Sequence, residues 1–192
     1  MRRLAEPSKA AEMEQQQLSH RLARDSDLDD LKLLMDAAIA ENQKPFLTAE
    51  QISSSRAIMG LDSQLVADGT YFVVEIDGVL VGCGGWSRRA TLYGGDRTPG
   101  RDAALLDPAR DPARIRAMYT HPNFTRRGIG RLIMALCEAA AHKEGFREIE
   151  LMATLSGEPL YRTCGYRAIE RVEDARGGAS VPLIRMRRPL EA

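Results

Sequence analysis

Thr125-Arg-Arg-Gly-Ile-Gly130 is a glycine-rich segment between two regular runs of the chain. The run before it, residues 113–119, alternates like a strand, and the run after it repeats apolar residues at helical spacing. Glycine lets main-chain N–H groups converge where a Cβ would clash, and a helix start adds unpaired N–H groups and a positive dipole end. Arg126, Arg127 and Arg131 supply further positive charge. This combination favours binding of a phosphate or a pyrophosphate.

Several interpretations of these glycines compete. A Walker P-loop requires Gly-x-x-x-x-Gly-Lys-Ser/Thr, and the chain has no such run. A dinucleotide-binding fingerprint requires a glycine or alanine three residues after Gly130, where Ile133 stands. A third interpretation is a loop that binds the pyrophosphate of an acyl-CoA. The alternative without a ligand is a plain glycine turn that enters a surface helix.

Two signatures resemble those of the GNAT superfamily of acyl-CoA-dependent N-acyltransferases. The family's pyrophosphate loop reads Gln/Arg-x-x-Gly-x-Gly/Ala after a strand, and here Thr125 replaces the usual Gln or Arg. About thirty residues later, Pro159-Leu-Tyr-Arg-Thr-Cys-Gly-Tyr166 is similar to the family's aromatic-Tyr helix that ends in Gly-Phe/Tyr, with Leu160 in the first aromatic position. The two signatures stand in the family's order, with one predicted strand between them.

The resemblance implies an α/β fold with a central mixed, mostly antiparallel sheet, a splayed pair of parallel strands, and helices on both faces. We expect one such domain over residues 18–192, preceded by a polar tail at residues 1–17. The implied activity is transfer of an acetyl group from acetyl-CoA to a primary amine by direct attack in a ternary complex. The acceptor would be a small molecule or a peptide.

The resemblance also assigns roles to individual residues. Tyr161 would be the general acid that protonates the leaving thiolate, because a phenol stays protonated near neutral pH. Trp86 would lie near the acceptor pocket, with core packing as the alternative. The expected acetyl-CoA contacts are the main-chain amides of Met118, Tyr119 and Thr120, the loop residues Arg126, Arg127, Gly128, Ile129, Gly130 and Arg131, and Ser156.

A general base is harder to assign. Some GNAT enzymes carry a glutamate on the strand before the loop, but residues 114–120 contain no carboxylate. Glu75, Asp102, Asp111 or a water chain could take the proton, whereas His121 before Pro122 fits a structural role better. The missing carboxylate keeps open a rival function, a non-catalytic acyl-CoA-binding regulatory module. Acylation of a hydroxyl, or a donor other than acetyl-CoA, is a third interpretation.

The rest of the chain predicts the elements of one domain. Asp77-Gly78 is a favoured hairpin turn, Thr48 with Gln51 predicts a capping box, and residues 91–112 form a long turn-rich loop expected to shape the acceptor site. The strand at 114–120 should alternate, with Ile115, Ala117 and Tyr119 on one face. Further strands are predicted at 18–23, 147–153, 166–172 and 181–187, and further helices from residue 28, from residue 48 to near residue 60, and at 63–67 and 157–164.

Composition excludes several classes of function. Lys plus Arg and Asp plus Glu number 27 each, so the net charge of zero gives no support to nucleic-acid binding. No apolar run reaches membrane-spanning length. The three cysteines lack metal-ligand spacing, so we expect no metal and interpret them as reduced thiols in a cytoplasmic protein. A homodimer is compatible with the sequence.

Overall fold

Seven strands form one sheet in the computed structural model, which describes residues 18–190. The predicted polar tail at residues 1–17 lies outside the described residues. The order across the sheet is β1-β2-β3-β4-β5-β7-β6. The strands are β1 (Leu18–Leu22), β2 (Tyr71–Ile76), β3 (Val79–Ser87), β4 (Ala113–Thr120), β5 (Glu148–Thr154), β6 (Arg167–Asp174) and β7 (Val181–Pro189).

Helices cover both faces of this sheet. They are α1 (Leu28–Asn42), α2 (Ala49–Ser55), α3 (Ser63–Ala67), α4 (Ile129–Lys143) and α5 (Glu158–Thr163), with single 3-10 turns at Asp25–Asp27 and Pro122–Phe124. The core on one face contains α4 residues, and the core on the other face contains α1 residues. Within residues 18–190, no helix has the length and apolar character needed to cross a membrane.

Helix α2 begins as predicted and ends earlier than predicted. The hydroxyl of Thr48 accepts a hydrogen bond from the Gln51 N–H at 3.2 Å, and the Gln51 side chain accepts one from the Thr48 N–H at 3.0 Å. The predicted capping box is therefore confirmed. The helix stops at Ser55 instead of near Gly60. The hydroxyl of Ser55 donates to the Ile52 carbonyl at 2.7 Å, a local side-chain bond of the kind that competes with helix continuation.

Strands β4 and β5 form the one parallel pair of the described sheet, and they separate soon after they meet. Parallel pairing joins Ala113 to Ile149 and Arg114 to Glu150, although β4 continues to Thr120 and β5 to Thr154. The remaining neighbouring strands are antiparallel. The predicted mixed, mostly antiparallel sheet with a splayed parallel pair is therefore confirmed.

A bulge in β4 accompanies the splaying. Ala117 has a φ of 49°, and the pairing with β3 slips by one residue between Arg116 and Tyr119. A bulge of this kind bends a strand and reverses its side-chain alternation. Ile115 lies in the core under α4, whereas Tyr119 lies in the core under α1. The predicted shared face of Ile115, Ala117 and Tyr119 is therefore wrong, because the alternation rule assumes a strand without a bulge.

Glycines in β3 let α4 approach the sheet closely. A Cβ at Gly82 would stand 2.3 Å from the Ile129 side chain, and one at Gly84 would stand 2.8 Å from the Ile133 side chain. Since real Cβ contacts are essentially never this short, a larger residue at either position would force these α4 side chains to shift. The close packing fixes the N-terminal end of α4 against the sheet.

Glu150 anchors the point where β4 and β5 stop pairing. Its side chain is fully buried, and it forms ion pairs with Arg114 across the parallel pairing and with Arg185 and Arg187 at 3.0 and 2.9 Å on β7. A buried charge that loses its partner is strongly destabilising. This cluster therefore ties the three strands together below the splayed region.

Replacement of Glu150 is expected to destabilise the fold. Glu150→Ala leaves the Arg114 guanidinium, whose side chain is 12% exposed, without its ion-pair partner. We therefore expect the free energy of unfolding to fall by about 3–5 kcal/mol. Chemical denaturation measures this. The matched control is Glu148→Ala, which removes an ion pair with Arg187 from a side chain that is 47% exposed and should cost at most about 1 kcal/mol. Equal losses in the two variants would contradict the role assigned to Glu150.

Candidate active site

A cleft lies where β4 and β5 have separated. Its walls include the β4 residues from Ile115 to Tyr119, the β5 residues Leu151, Met152 and Thr154, and Tyr161 of α5. Because the strands on this stretch no longer pair with each other, their facing edges present main-chain N–H and C=O groups to the cleft. The cleft can therefore hold an extended molecule that carries amide groups.

The end of β4 is held in place by hydrogen bonds from three elements. The Tyr71 hydroxyl donates to the Ala117 carbonyl at 2.7 Å, within the bulge. The Gly60 N–H donates to the Tyr119 hydroxyl at 2.8 Å, and the Asn42 side chain donates to the Thr120 carbonyl at 2.9 Å. These bonds fix the backbone of the strand on which the predicted main-chain contacts lie.

The glycine-rich loop has the backbone form of an anion-binding turn. Arg126 and Gly128 both have left-handed conformations, with φ values of 64° and 81°. The first backbone bond of α4 joins the Leu132 N–H to the Gly128 carbonyl at 3.0 Å, so the preceding N–H groups have no intrahelical acceptor. Arg126, Arg127 and Arg131 are exposed around this helix start, and the Arg127 guanidinium lies 5.1 Å from the centre of the Phe124 ring.

Helix α5 packs directly on this helix start. A Cβ at Gly130 would stand 2.7 Å from the Leu160 side chain. Gly130 therefore allows α5, which carries Tyr161, to approach the first turn of α4. The two sequence signatures meet in space at this contact.

Tyr161 is a buried phenol on the wall of the cleft. The residue is 8% exposed, and its ring packs edge-on against Tyr166, with 6.1 Å between the ring centres. Within residues 18–190, its hydroxyl has no hydrogen-bond partner. Burial raises the pKa of the Tyr161 phenol above its usual value, so the group keeps its proton at neutral pH and can act as a donor.

A family model described as the acetyltransferase (GNAT) family matches residues 32–166, which is more than half of the chain. The chain belongs to the GNAT acetyltransferase family. It is therefore an acyltransferase, and acetyl-CoA is its acetyl donor. No curated protein sequence matches the chain.

Solved structures confirm that the chain has the GNAT fold. A GCN5-related N-acetyltransferase from Rhodopseudomonas palustris is 20% identical with a TM-score of 0.68, and the match covers 90% of this chain and 95% of that one. The PaiA N-acetyltransferase from Thermoplasma acidophilum, in complex with coenzyme A, is 14% identical with a TM-score of 0.63 over 90% and 99%. YncA from Salmonella typhimurium, with acetyl-CoA, is 16% identical with a TM-score of 0.60 over 91% and 94%.

The remaining predicted cofactor contact, Ser156, lies in the turn between β5 and α5 of this GNAT protein. Its hydroxyl is 3.0 Å from that of Thr154. The Thr154 hydroxyl also accepts a hydrogen bond from the Gly157 N–H at 3.2 Å. These bonds order the turn that leads into Tyr161.

Trp86, predicted near the acceptor pocket, is buried in the core under α4. It is 2% exposed, and its ring packs edge-on against Phe146 with 6.0 Å between the ring centres. Trp86 is not among the residues that line the described cleft. This placement favours the packing alternative, so we leave Trp86 out of the proposed acceptor site.

The carboxylates that the sequence offered as general bases accept hydrogen bonds outside the cleft. Glu75 accepts a hydrogen bond from Arg21 at 2.7 Å, Asp102 accepts one from the Ala104 N–H at 2.9 Å, and Asp111 accepts one from the Asp107 N–H at 2.8 Å. His121 accepts a hydrogen bond from the Asn123 N–H at 3.2 Å, as a cap of the 3-10 turn. These four side chains do not line the described cleft.

The long loop contributes cleft residues that the sequence alone did not identify. Leu92, Tyr93 and Gly94 line the cleft from one side, together with Met59 and Gly60 from the turn after α2. Their backbone is fastened by Arg116, which donates to the Thr91 and Gly94 carbonyls at 2.9 and 2.6 Å. The only sequence signal for these positions was the length of the loop.

Proposed function

We propose that this GNAT protein is an N-acetyltransferase that moves the acetyl group of acetyl-CoA directly to a primary amine in a ternary complex. The observation that supports this most is the cleft between β4 and β5, which places the Tyr161 phenol beside the free edge of β4. A module that only bound acyl-CoA would not need a protonated donor inside the cleft.

Acetyl-CoA fits the groups present around this cleft. The loop from Arg126 to Arg131 offers main-chain N–H groups, a helix start and exposed positive charge to a pyrophosphate. The main chain of Met118, Tyr119 and Thr120 would hold the pantetheine arm and the thioester oxygen, since oxyanion donors are commonly main-chain amides. Ser156 is proposed as a further contact with the cofactor.

The proposed chemistry needs one proton donor from the protein. A neutral amine attacks the thioester carbonyl carbon, the new C–N bond forms, and the C–S bond breaks. The departing thiolate takes the proton of the Tyr161 hydroxyl, while the nitrogen gives its proton to water. Tyr161 then recovers a proton from solvent, which returns the site to its starting state.

Salt is expected to weaken binding of CoA modestly. Arg126, Arg127 and Arg131 are exposed, so their attraction to the phosphates is screened by added ions. We expect the Kd from calorimetry to rise several-fold between roughly 0.05 and 0.5 M salt. Arg131→Ala should flatten this dependence, whereas Arg110→Ala, at an 85% exposed side chain on the long loop, should leave it unchanged. A Kd that is insensitive to salt would contradict the role of the arginines.

A panel of amines tests the proposed activity. Free thiol is measured while the protein turns over acetyl-CoA with peptides, polyamines and small aromatic amines. An N-acetyltransferase releases thiol in an amine-dependent way, and mass spectrometry finds the acetylated amine. Saturable CoA binding without release of thiol for any amine would instead favour the regulatory module.

A further inference from the structure

Most cleft residues outside β4 carry apolar side chains, and we take this part of the cleft as the side that would receive the acceptor. Its walls are formed by Ile58, Met59, Leu92, Tyr93, Met152 and Leu183. Among the described residues that line the cleft, none is Asp, Glu or His. A protonated amine would therefore find no counter-ion on these walls, and burial of an unpaired charge is costly.

The charged lining residue, Arg116, does not help to bind a cation. It is buried at 3% exposure, and its guanidinium donates to Asp62 at 2.7 Å and to two carbonyls of the long loop. Asp62 also accepts a hydrogen bond from Arg101 at 2.6 Å. This carboxylate is therefore shared by two guanidinium groups, and its charge is not available to an ammonium group.

The Asp174 carboxylate, which lies next to the Tyr93 hydroxyl, is likewise paired with an arginine. Asp174 is 6% exposed, accepts a hydrogen bond from the Tyr93 hydroxyl at 2.9 Å, and pairs with Arg176 at 2.6 Å. Arg176 lowers the pKa of Asp174 below its usual range. A carboxylate with a lowered pKa is a weak base, so Asp174 is poorly suited to remove a proton from an ammonium group.

An amine that enters this cleft must therefore arrive neutral. The α-amine of a peptide has a pKa near 7.7–8.0, whereas the lysine side chain has one near 10.4. At about pH 7.5 roughly a third of the former but only about a thousandth of the latter is neutral. This difference in the neutral fraction alone favours acetylation of the weakly basic amine by ~10²-fold.

We propose that the acceptor is a weakly basic primary amine attached to an apolar group, as at the N-terminus of a peptide whose first side chain is apolar. This inference rests on the proposed N-acetyltransferase function and specifies its substrate class. The apolar walls stabilise the neighbouring group through burial of apolar surface. The free edge of β5 beyond Glu150 offers main-chain groups to the following peptide bond.

The test compares five amines as acceptors, at two pH values. At about pH 7.5, Leu-Gly-Gly-amide should have a kcat/KM ~10² times that of Nα-acetyl-lysine-amide and of spermidine. At about pH 9.5 this ratio over the lysine derivative should fall to ~10, because the lysine amine is then partly neutral. Asp-Gly-Gly-amide, with a similar amine but an acidic side chain, should be the poorer peptide. Leucine amide shows whether the peptide beyond the first residue contributes.

A charge placed in the cleft provides a variant test. Leu92→Asp supplies the missing counter-ion, so the preference for the leucine peptide over spermidine should narrow by about tenfold, since a nearby opposite charge favours the protonated form. The matched control is Leu105→Asp, on the same loop at a residue that is 68% exposed and outside the described cleft lining. The control should keep the wild-type preference.

The outcomes separate this inference from the proposed function. Turnover that is equal or faster with spermidine or the lysine derivative at pH 7.5 would overturn the acceptor class and leave the N-acetyltransferase intact. A ratio that does not change with pH would likewise overturn it, because selection would then not depend on the neutral amine. Absence of turnover with every amine, despite CoA binding, would overturn the function and the inference together.

Discussion

Tyr161→Phe is expected to slow acetyl transfer by about 10²–10⁴-fold in a single-turnover experiment, the range typical of general acid catalysis. The substitution removes the phenolic proton and keeps the ring, which packs against Tyr166 and closely approaches Gly157. Affinity for acetyl-CoA should change little, since the proposed role concerns the leaving thiolate. In the steady state the loss would look smaller if release of product limits turnover.

The neighbouring tyrosine provides the control. Tyr166 is also buried, but its hydroxyl donates to Glu138 at 3.0 Å, and the residue is outside the described cleft lining. Tyr166→Phe should therefore leave the single-turnover rate near that of the wild type. A Tyr161→Phe enzyme with a wild-type rate would make Tyr161 a packing residue, and one that lost acetyl-CoA affinity in proportion to its rate would make it a cofactor contact.

Gly128→Val is expected to raise the Kd for CoA by about 10²-fold or more, as measured by calorimetry on the folded variant. Gly128 has a φ of 81°, which a β-branched residue adopts only under strain. The added side chain would also extend into the space where the phosphates approach the helix start. Loss of two charge-assisted hydrogen bonds from main-chain N–H groups of the loop to phosphate oxygens, each contributing about 1.5–3 kcal/mol, accounts for a change of this size.

A control variant at Gly69 distinguishes the effect of backbone strain from the effect of losing the pyrophosphate site. Gly69 has a similar φ of 67° and, like Gly128, has no described atom within 4 Å of an added Cβ. Gly69→Val should therefore cost similar stability while leaving CoA affinity unchanged. Gly130→Val should abolish CoA binding too, but it is less informative than Gly128→Val. The valine side chain would meet Leu160 and displace α5, so loss of binding would not point to the loop alone. Unchanged CoA affinity in a folded Gly128→Val variant would contradict the proposed pyrophosphate site.

Local sequence patterns predicted most of the strands, although not their order across the sheet. The hairpin at Asp77-Gly78 has φ values of 50° and 78°, as its two turn residues indicate, and α3 has the predicted bounds. The bulge at Ala117 was not predicted, and the hydrogen bond that holds its carbonyl comes from a residue distant in the chain. The Tyr71 hydroxyl, 46 residues away in the chain, fixes the Ala117 carbonyl, and no local pattern encodes that contact.

Some parts of the candidate site could likewise be predicted from short motifs, whereas others depend on contacts between distant segments. The loop and Tyr161 belong to short motifs whose spacing is visible in the sequence. The acceptor walls come from separate segments, represented by Met59, Leu92, Met152 and Leu183, and only the folded sheet brings them together. For Trp86 the sequence left two interpretations open, a place near the acceptor and core packing, and the contact with Phe146 favours the second.

Release of CoA before and after addition of an amine tests direct transfer in the cleft most directly. Enzyme in excess is mixed with acetyl-CoA, and free thiol and acetylated product are followed by rapid quench and mass spectrometry. Direct attack predicts no thiol before an amine is added, and then one thiol for each acetylated amine. Thiol released without amine in a burst equal to the enzyme would indicate an acyl-enzyme intermediate. That result, or no thiol after any amine is added, would contradict the account.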